Sequence, residues 1–348
     1  MWKLLLKRRL RKNSYGNSPV TLSDIENSST ILFSVFARYG DGITSFKVLN
    51  EFISYYPEKK YILITSPQLY PYARKIIKNN EVRIHFINKR RNPIKLVRII
   101  YMLKRAGADL GFNPWSHGAE SEFFITFARK YAIFKNAAKF PRQYNVYGRA
   151  RNYLLMKSKD TNLRTPVLEN SKIKNVVIAP FSTDVKKNLG HGDIIKLIEQ
   201  LKIKFSDPRI TVAFPDKQHL KKTAISEQKF LLGKSMKKSD NFLRLLETSD
   251  LFVGVDAGPL HLADALGLKS IGIFGSNAAE TFMDSDSNIL PVRHKKLDGI
   301  FCFVSSCKDP VCIHEIFQGN FFEHAITIDF DRKIRLETEE CALLQNNS

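Results

Sequence analysis

Cysteine is scarce in this sequence of 348 residues, which has four, at Cys302, Cys307, Cys312 and Cys341. They are too few and too late in the chain to frame a disulfide-stapled secreted fold, so a reducing cytosol is the expected compartment. Long apolar runs are missing as well. None approaches the roughly 20 residues needed to cross a bilayer, which excludes a polytopic membrane protein. No segment of roughly 20 to 50 residues repeats in tandem, which argues against a solenoid. There is no zinc-finger spacing, aromatic RNP-like strand or basic zipper, so no nucleic-acid module is recognisable. Acidic residues are outnumbered: 34 Asp and Glu stand against 55 Lys and Arg, a formal charge of +21.

What is present suffices for a folded core. Hydrophobic residues make up 43% of the chain and charged ones 26%, which excludes general disorder, and the length suits two domains. The positive surplus attracts any polyanion, whether nucleic acid, anionic lipid or a phosphorylated substrate. It is densest from Met1 to Lys12, where six cations interleave with Trp2, Leu4, Leu5, Leu6 and Leu10, and no acid precedes Asp24. Its longest apolar stretch is Leu4 to Leu6, which is too short for a signal peptide. The segment reads either as a basic helix resting on an anionic membrane surface or as a solvated tail.

From about residue 30, short β-branched or aromatic runs alternate with helical patterns. Thr30 to Ala37 reads as a buried strand, followed by a turn at Gly40-Asp41-Gly42 and a helix through Phe46, Leu49, Phe52 and Ile53. Strands are expected at Lys60 to Thr65, Val82 to Ile87 and Asp109 to Asn113, with helices at Gln68 to Lys78 and Pro93 to Leu103. That rhythm implies a parallel sheet covered on both faces. The stretch from about Pro141 to Lys172 is polar, basic and weakly periodic, as a linker would be. The rhythm then restarts with strands at Asn175 to Pro180, Arg209 to Phe214, Lys229 to Leu232, Asp250 to Val255 and Lys269 to Phe274, the last closing the set. The expected organisation is a basic tail over 1–26, Rossmann-like halves over 27–165 and 166–330, and a C-terminal tail over 331–348, with a cleft between the halves.

The most informative segment runs from Asp250 to Gly267. A buried strand ends at Val255, and Gly258-Pro259 suits a tight turn into a helix, with Gly permitting close approach and Pro favoured at a helix start. Unpaired amides and the positive dipole end there bind phosphate without a side-chain charge. Ligands of open α/β sheets sit at that end of the strands. The alternative is a capped strand-helix turn with His261 packed in the first helical turn.

The run from Asp256 through Ala265, with Asp-x-Gly-Pro-x-His-Leu-Ala, resembles the signature of glycosyltransferase family 9, the ADP-heptose:lipopolysaccharide heptosyltransferases. The Gly40-Asp41 pair after the first strand, Lys187 after the first strand of the second half, and Asp109-Leu-Gly-Phe-Asn113 resemble further family features, in order over about residues 30 to 320. The resemblance implies a GT-B fold and an inverting, metal-independent transfer without a cofactor. The nucleotide sugar, ADP-heptose or a relative, would bind the C-terminal half and the acceptor mainly the N-terminal half. A carboxylate must take the proton of the acceptor hydroxyl. Asp41 is the candidate, although Gly-Asp-Gly also makes a good turn by itself. The leaving diphosphate needs cations and N–H donors, for which Lys187 and the amides of Ala257, Gly258 and Leu260 are the candidates. Lys186 is an alternative cation. Ser182 and Thr183 would add hydroxyl donors. His261 would reach a phosphate or fasten the loop, and Asp256 would orient the turn or touch the sugar. Glu280 would touch a sugar hydroxyl or be a solvated helix start.

The sequence departs from the family pattern at Ala213-Phe-Pro-Asp-Lys217, where a Gly-Gly turn is usual, at Asn188-Leu189-Gly190 after the lysine, and near Phe46-Lys47. These departures leave room for another donor sugar, or for a GT-B-shaped binding protein that has lost turnover. Cys302, Cys307 and Cys312, with His314, are spaced at the loose end of structural zinc sites, or form a local structural element. The implied partners are a nucleotide sugar, a lipopolysaccharide core or lipid-linked glycan acceptor and an anionic membrane surface, with no specific nucleic acid. The implied location is cytoplasmic, peripheral on the inner face of the inner membrane.

Overall fold

The computed structural model describes residues 19–87, 93–116, 118–134, 145–156, 168, 172–215, 219, 225–232, 236–297, 300–302, 311–328 and 335–337. The chain divides into two compact units, Met1–Ser158 and Lys159–Ser348. The basic segment Met1 to Lys12 lies outside the described residues.

The described part of the first unit begins with a short helix, α1 (Leu22–Asn27), started by a capping box between Thr21 and Asp24. Strands β1 (Thr30–Val35), β2 (Lys60–Thr65), β3 (Arg83–Phe86), β4 (Leu110–Phe112) and β5 (Lys130–Ala132) alternate with helices α2 (Tyr39–Tyr55), α3 (Tyr70–Ile76), α4 (Pro93–Ala106) and α5 (Ala119–Ile125). The strands pair in parallel in the order β3-β2-β1-β4-β5. Central strands of this kind are buried on both faces and so read as continuous apolar runs. Phe33 of β1 meets Phe52 of α2 edge-on at 5.7 Å and Phe112 of β4 at 6.1 Å.

Two expectations are corrected in this unit. Gly40, Asp41 and Gly42 are not a turn ahead of the helix but part of the first turn of α2, whose N-cap is Arg38. Between Pro141 and Lys172 the chain is not linker throughout, since Val146–Tyr153 form a helix, α6, capped by the Asn145 side chain. Its weak periodicity has a physical cause, because one of its buried side chains is Arg151, paired through Nε and Nη2 with Glu51 of α2 at 2.9 to 3.1 Å. A buried cation hides an apolar stripe from the sequence.

The second unit is built on β6 (Asn175–Ala179), β7 (Arg209–Phe214), β8 (Gln228–Leu231), β9 (Leu251–Val255), β10 (Ser270–Ile273) and β11 (Ile289–Val292), with helices α7 (His191–Lys204), α8 (Met236–Glu247), α9 (Gly258–Ala265) and α10 (Ala279–Phe282) between them. These six strands pair with one another in parallel, in the order β11-β10-β9-β6-β7-β8. The strand ending at Ile273 therefore does not close the set. The added strand β11 lies at the edge, where Pro291, lacking an N–H, is tolerated.

The same device fastens the central strands of both sheets. Asp109, just before β4, accepts from the amides of Ser29 and Thr30 at 2.9 and 3.0 Å. Asp250, just before β9, accepts from those of Lys174 and Asn175 at 2.9 and 2.8 Å. In each unit this joins the two strands between which the strand order reverses. Their far ends open onto the switch point, the place where open parallel sheets bind ligands.

Candidate functional site

In the second unit the chain leaves β6 into a tightly bonded loop. The Leu189 amide returns to the Pro180 carbonyl at 3.0 Å, and the Ser182 amide donates to Asn188 Oδ1 at 2.6 Å. Val185–Lys187 form a 3₁₀ turn behind Asp184. Asn188-Leu189-Gly190, a departure from the family pattern, is thus structural. Asn188 bonds the loop, Leu189 is buried in the core, and Gly190 caps α7, its amide donating to Asp193. At Phe214, another departure, the ring is fully buried and lies 5.8 Å from that of Phe181, so its bulk is spent in the core.

The loop turns Lys187 onto Asp256, the residue following β9. Lys187 Nζ donates to Asp256 Oδ2 at 2.8 Å and to the Asp256 carbonyl at 3.3 Å. Asp256 Oδ1 faces His261 Nε2 at 3.1 Å, and the Asn277 amide donates to Oδ2. A charge removed from water costs several kcal/mol unless paired and hydrogen-bonded, and Asp256, 4% exposed, has both kinds of partner. Burial alone would raise its pKa. The Lys187 ammonium and the His261 hydrogen bond outweigh burial and hold the carboxyl well below the usual carboxylate range. Lys186 goes elsewhere, to Asp184 at 3.9 Å.

Helix α9 begins beside this pair. Ala257 is its extended N-cap, and Gly258-Pro259 supply the first turn. The Leu260 amide is not free for a ligand, because it donates to the Ala257 carbonyl at 3.0 Å. The amides of Ala257 and Gly258 have no acceptor among the described residues. His261 is buried, and its Nδ1 likewise has no partner there. Two amides and an ammonium therefore gather at one helix start, an arrangement suited to an anion.

Other expected residues are placed less directly. The Ser182 hydroxyl accepts from the Asp184 amide at 3.2 Å, and Thr183 is exposed. Glu280, in the first turn of α10, is buried, which removes the reading of a solvated helix start. Asn277 was not anticipated, since a lone Asn in a loop after β10 carries no sequence signal.

In the first unit the switch point holds Asp41. Trp115, following β4, donates its indole N–H to Asp41 Oδ1 at 2.9 Å. Trp115 has φ +46°, in the left-handed region rarely used by bulky residues. Ser45 Oγ adds a tie between the carbonyls of Asp41 and Pro114, at 2.7 and 2.8 Å. Neither Trp115 nor Ser45 was singled out by the sequence.

Of the cysteine cluster, Cys307 lies outside the described residues and Cys312 is buried. His314 turns its Nδ1 to Asp193. No group of three or more metal-ligating side chains occurs among the described residues.

The model of glycosyltransferase family 9 (heptosyltransferase) matches residues 129–304, half of the chain. The chain belongs to this family and is a glycosyltransferase. A sequence search of curated proteins finds no match. Solved structures similar to this chain include the E. coli heptosyltransferase WaaC with ADP-2-deoxy-2-fluoro heptose, with a TM-score of 0.52 and 16% identity over 83% of this chain and 99% of that one. A family 9 glycosyl transferase from Veillonella parvula has a TM-score of 0.54 and 11% identity, over 76% of this chain and 85% of its own. The E. coli ADP-heptose lps heptosyltransferase II gives 0.53 and 14%, over 76% and 90%. At these identities the likeness is one of fold, and the fold is GT-B, built of two parallel-sheet α/β units.

Proposed function

We propose that this glycosyltransferase moves a heptose, or a related sugar, from a nucleoside-diphosphate donor to a hydroxyl of a lipopolysaccharide core or similar lipid-linked glycan. The reaction in this reading inverts the anomeric centre and uses no metal. The observation that carries the proposal is the meeting of Lys187 with the unbonded amides of Ala257 and Gly258 at the switch point of the second unit. The solved relative WaaC, bound to an ADP-heptose analogue, supports the choice of donor class.

In this mechanism the acceptor oxygen attacks the anomeric carbon while the bond from that carbon to the diphosphate oxygen breaks. The acceptor proton passes to Asp41, held by Trp115. The leaving diphosphate takes the bonding electrons, and its charge is met by Lys187 and the two amides, which are oriented beforehand and need little rearrangement. Asp256 keeps Lys187 aimed until the phosphate shares it. His261 and Asn277 hold Asp256 in place.

The test is product formation from ADP-heptose and a truncated, water-soluble core acceptor in the presence of a chelator, with the anomeric configuration read by NMR. Transfer with inverted configuration is expected. Absence of transfer while ADP-sugar still binds would instead identify a binding protein, and retained configuration would exclude the single displacement.

A further inference from the structure

Helix α4 is amphipathic twice over. Its inner residues Ile99 and Leu103 join the core with Ile62, Ile64 and Ile87. A second apolar stripe faces outward. Ile94, Val97 and Tyr101 are spaced by three and four residues, so they line one side, and they are 66%, 65% and 65% exposed. Other large apolar side chains exposed among the described residues, such as Tyr55, Val185 and Ile203, are scattered singly.

Arg98, Lys104 and Arg105 are exposed on that same side, because at about 100° per residue they fall next to the stripe. The helix contains no Asp or Glu. Lys95 is turned away, its Nζ lying 3.2 Å from the centre of the Phe86 ring.

We propose that this outward face of α4, with Ile94, Val97 and Tyr101 among Arg98, Lys104 and Arg105, docks on an anionic phospholipid bilayer. The pattern is that of an interfacial helix, in which aliphatic and aromatic side chains enter the acyl boundary and cations meet headgroup phosphates. Nucleic acid would use the cations but leave Ile94 and Val97 without purpose. A second copy of the chain would set Arg98, Lys104 and Arg105 against their own counterparts, which self-association of one patch requires. The inference rests on the reading that the acceptor is lipid-linked, and it gives that reading a surface.

The test is co-sedimentation of the full chain with vesicles of phosphatidylcholine, alone or mixed with phosphatidylglycerol. One variant, Ile94→Ser/Val97→Ser/Tyr101→Ser, keeps the charge. Another, Arg98→Gln/Lys104→Gln/Arg105→Gln, keeps the stripe. Both change exposed positions, and unchanged melting would verify folding. The wild type is expected on the mixed vesicles and not on the neutral ones. At about fivefold per cation near an anionic leaflet, the Gln variant should bind roughly a hundredfold more weakly, and the Ser variant at least tenfold. Transfer to a water-soluble acceptor should be unchanged in both. Binding equal to wild type in both variants would overturn the proposal and place the anchor elsewhere, for example in Met1 to Lys12. So would a wild type that ignores anionic vesicles, or a dimer that the Ser variant dissolves. If the wild type binds vesicles yet transfers no sugar to the soluble acceptor, the proposed function fails and the docking surface stands.

Discussion

Lys187 and Asp256 are 69 residues apart in the chain, yet their side chains form a 2.8 Å ion pair, with only 14% of the lysine side chain and 4% of the carboxylate side chain exposed. Each follows one of the two strands that flank the reversal of strand order, so the pair is a consequence of topology. Removing one partner leaves the other buried without compensation, which typically costs about 3 to 5 kcal/mol. Asp256→Asn should therefore destabilise the second unit by that order, measured by denaturant unfolding.

The same pair sets a pH dependence. The Asp256 carboxyl is held below its ordinary range by Lys187 and His261 against the opposing effect of burial. Its contribution to stability is therefore complete above the ordinary carboxylate pKa and is lost as pH falls through the depressed folded value. Wild-type stability should fall with acid across that window, and Asp256→Asn should flatten the component. An equal acid slope in both proteins would contradict the pairing.

Asp24 offers a second titration, in the first unit. Hydrogen bonds from Lys130 and Thr21 lower its pKa from 3.8 to about 2. A lowered folded value means that this contribution is present above pH 3.8 and fades as pH drops toward 2. NMR titration of the side-chain carboxyl should show the depressed midpoint in the wild type and a return toward 3.8 in Lys130→Met.

Gly254 lies on β9 where the sheet leaves no room. A Cβ there would meet the Phe252 ring at 2.7 Å and the Ala179 carbonyl of the neighbouring strand at 3.0 Å. The carbonyl belongs to the ladder and cannot step aside. Gly254→Ala should cost about 1 to 3 kcal/mol through overpacking, seen as a lower melting temperature.

Asp41→Asn removes the assigned base. Turnover should drop by about 10² to 10⁴, while ADP binding, assigned to the second unit, stays as in the wild type. Trp115→Phe keeps a ring but loses the N–H that fixes Asp41, and should slow turnover about tenfold through misplacement with little change in KM.

Much of this could be read from residues alone. The strands at Lys60–Thr65 and Arg209–Phe214 carry uninterrupted apolar or β-branched runs, and the structure returns both with those bounds. The start of α9 was legible because Gly258-Pro259 is a local signal. Strand β5 is three residues long, and β11 contains Pro291, so neither gives a pattern to read. Helix α6 hides its stripe behind Arg151. The partners Asn277 and Trp115 were invisible for a different reason. Each reaches its aspartate across the fold, and nothing in local spacing reports a contact between residues 41 and 115.

Calorimetric titration of ADP into the wild type and into Lys187→Met decides whether Lys187 and the start of α9 hold the donor diphosphate. ADP is expected to bind the wild type, and the variant, otherwise folded, should bind it about 10 to 150 times more weakly, the loss of one charge-assisted hydrogen bond of about 1.5 to 3 kcal/mol. Equal affinity in the two proteins would mean that Lys187 does not hold the diphosphate.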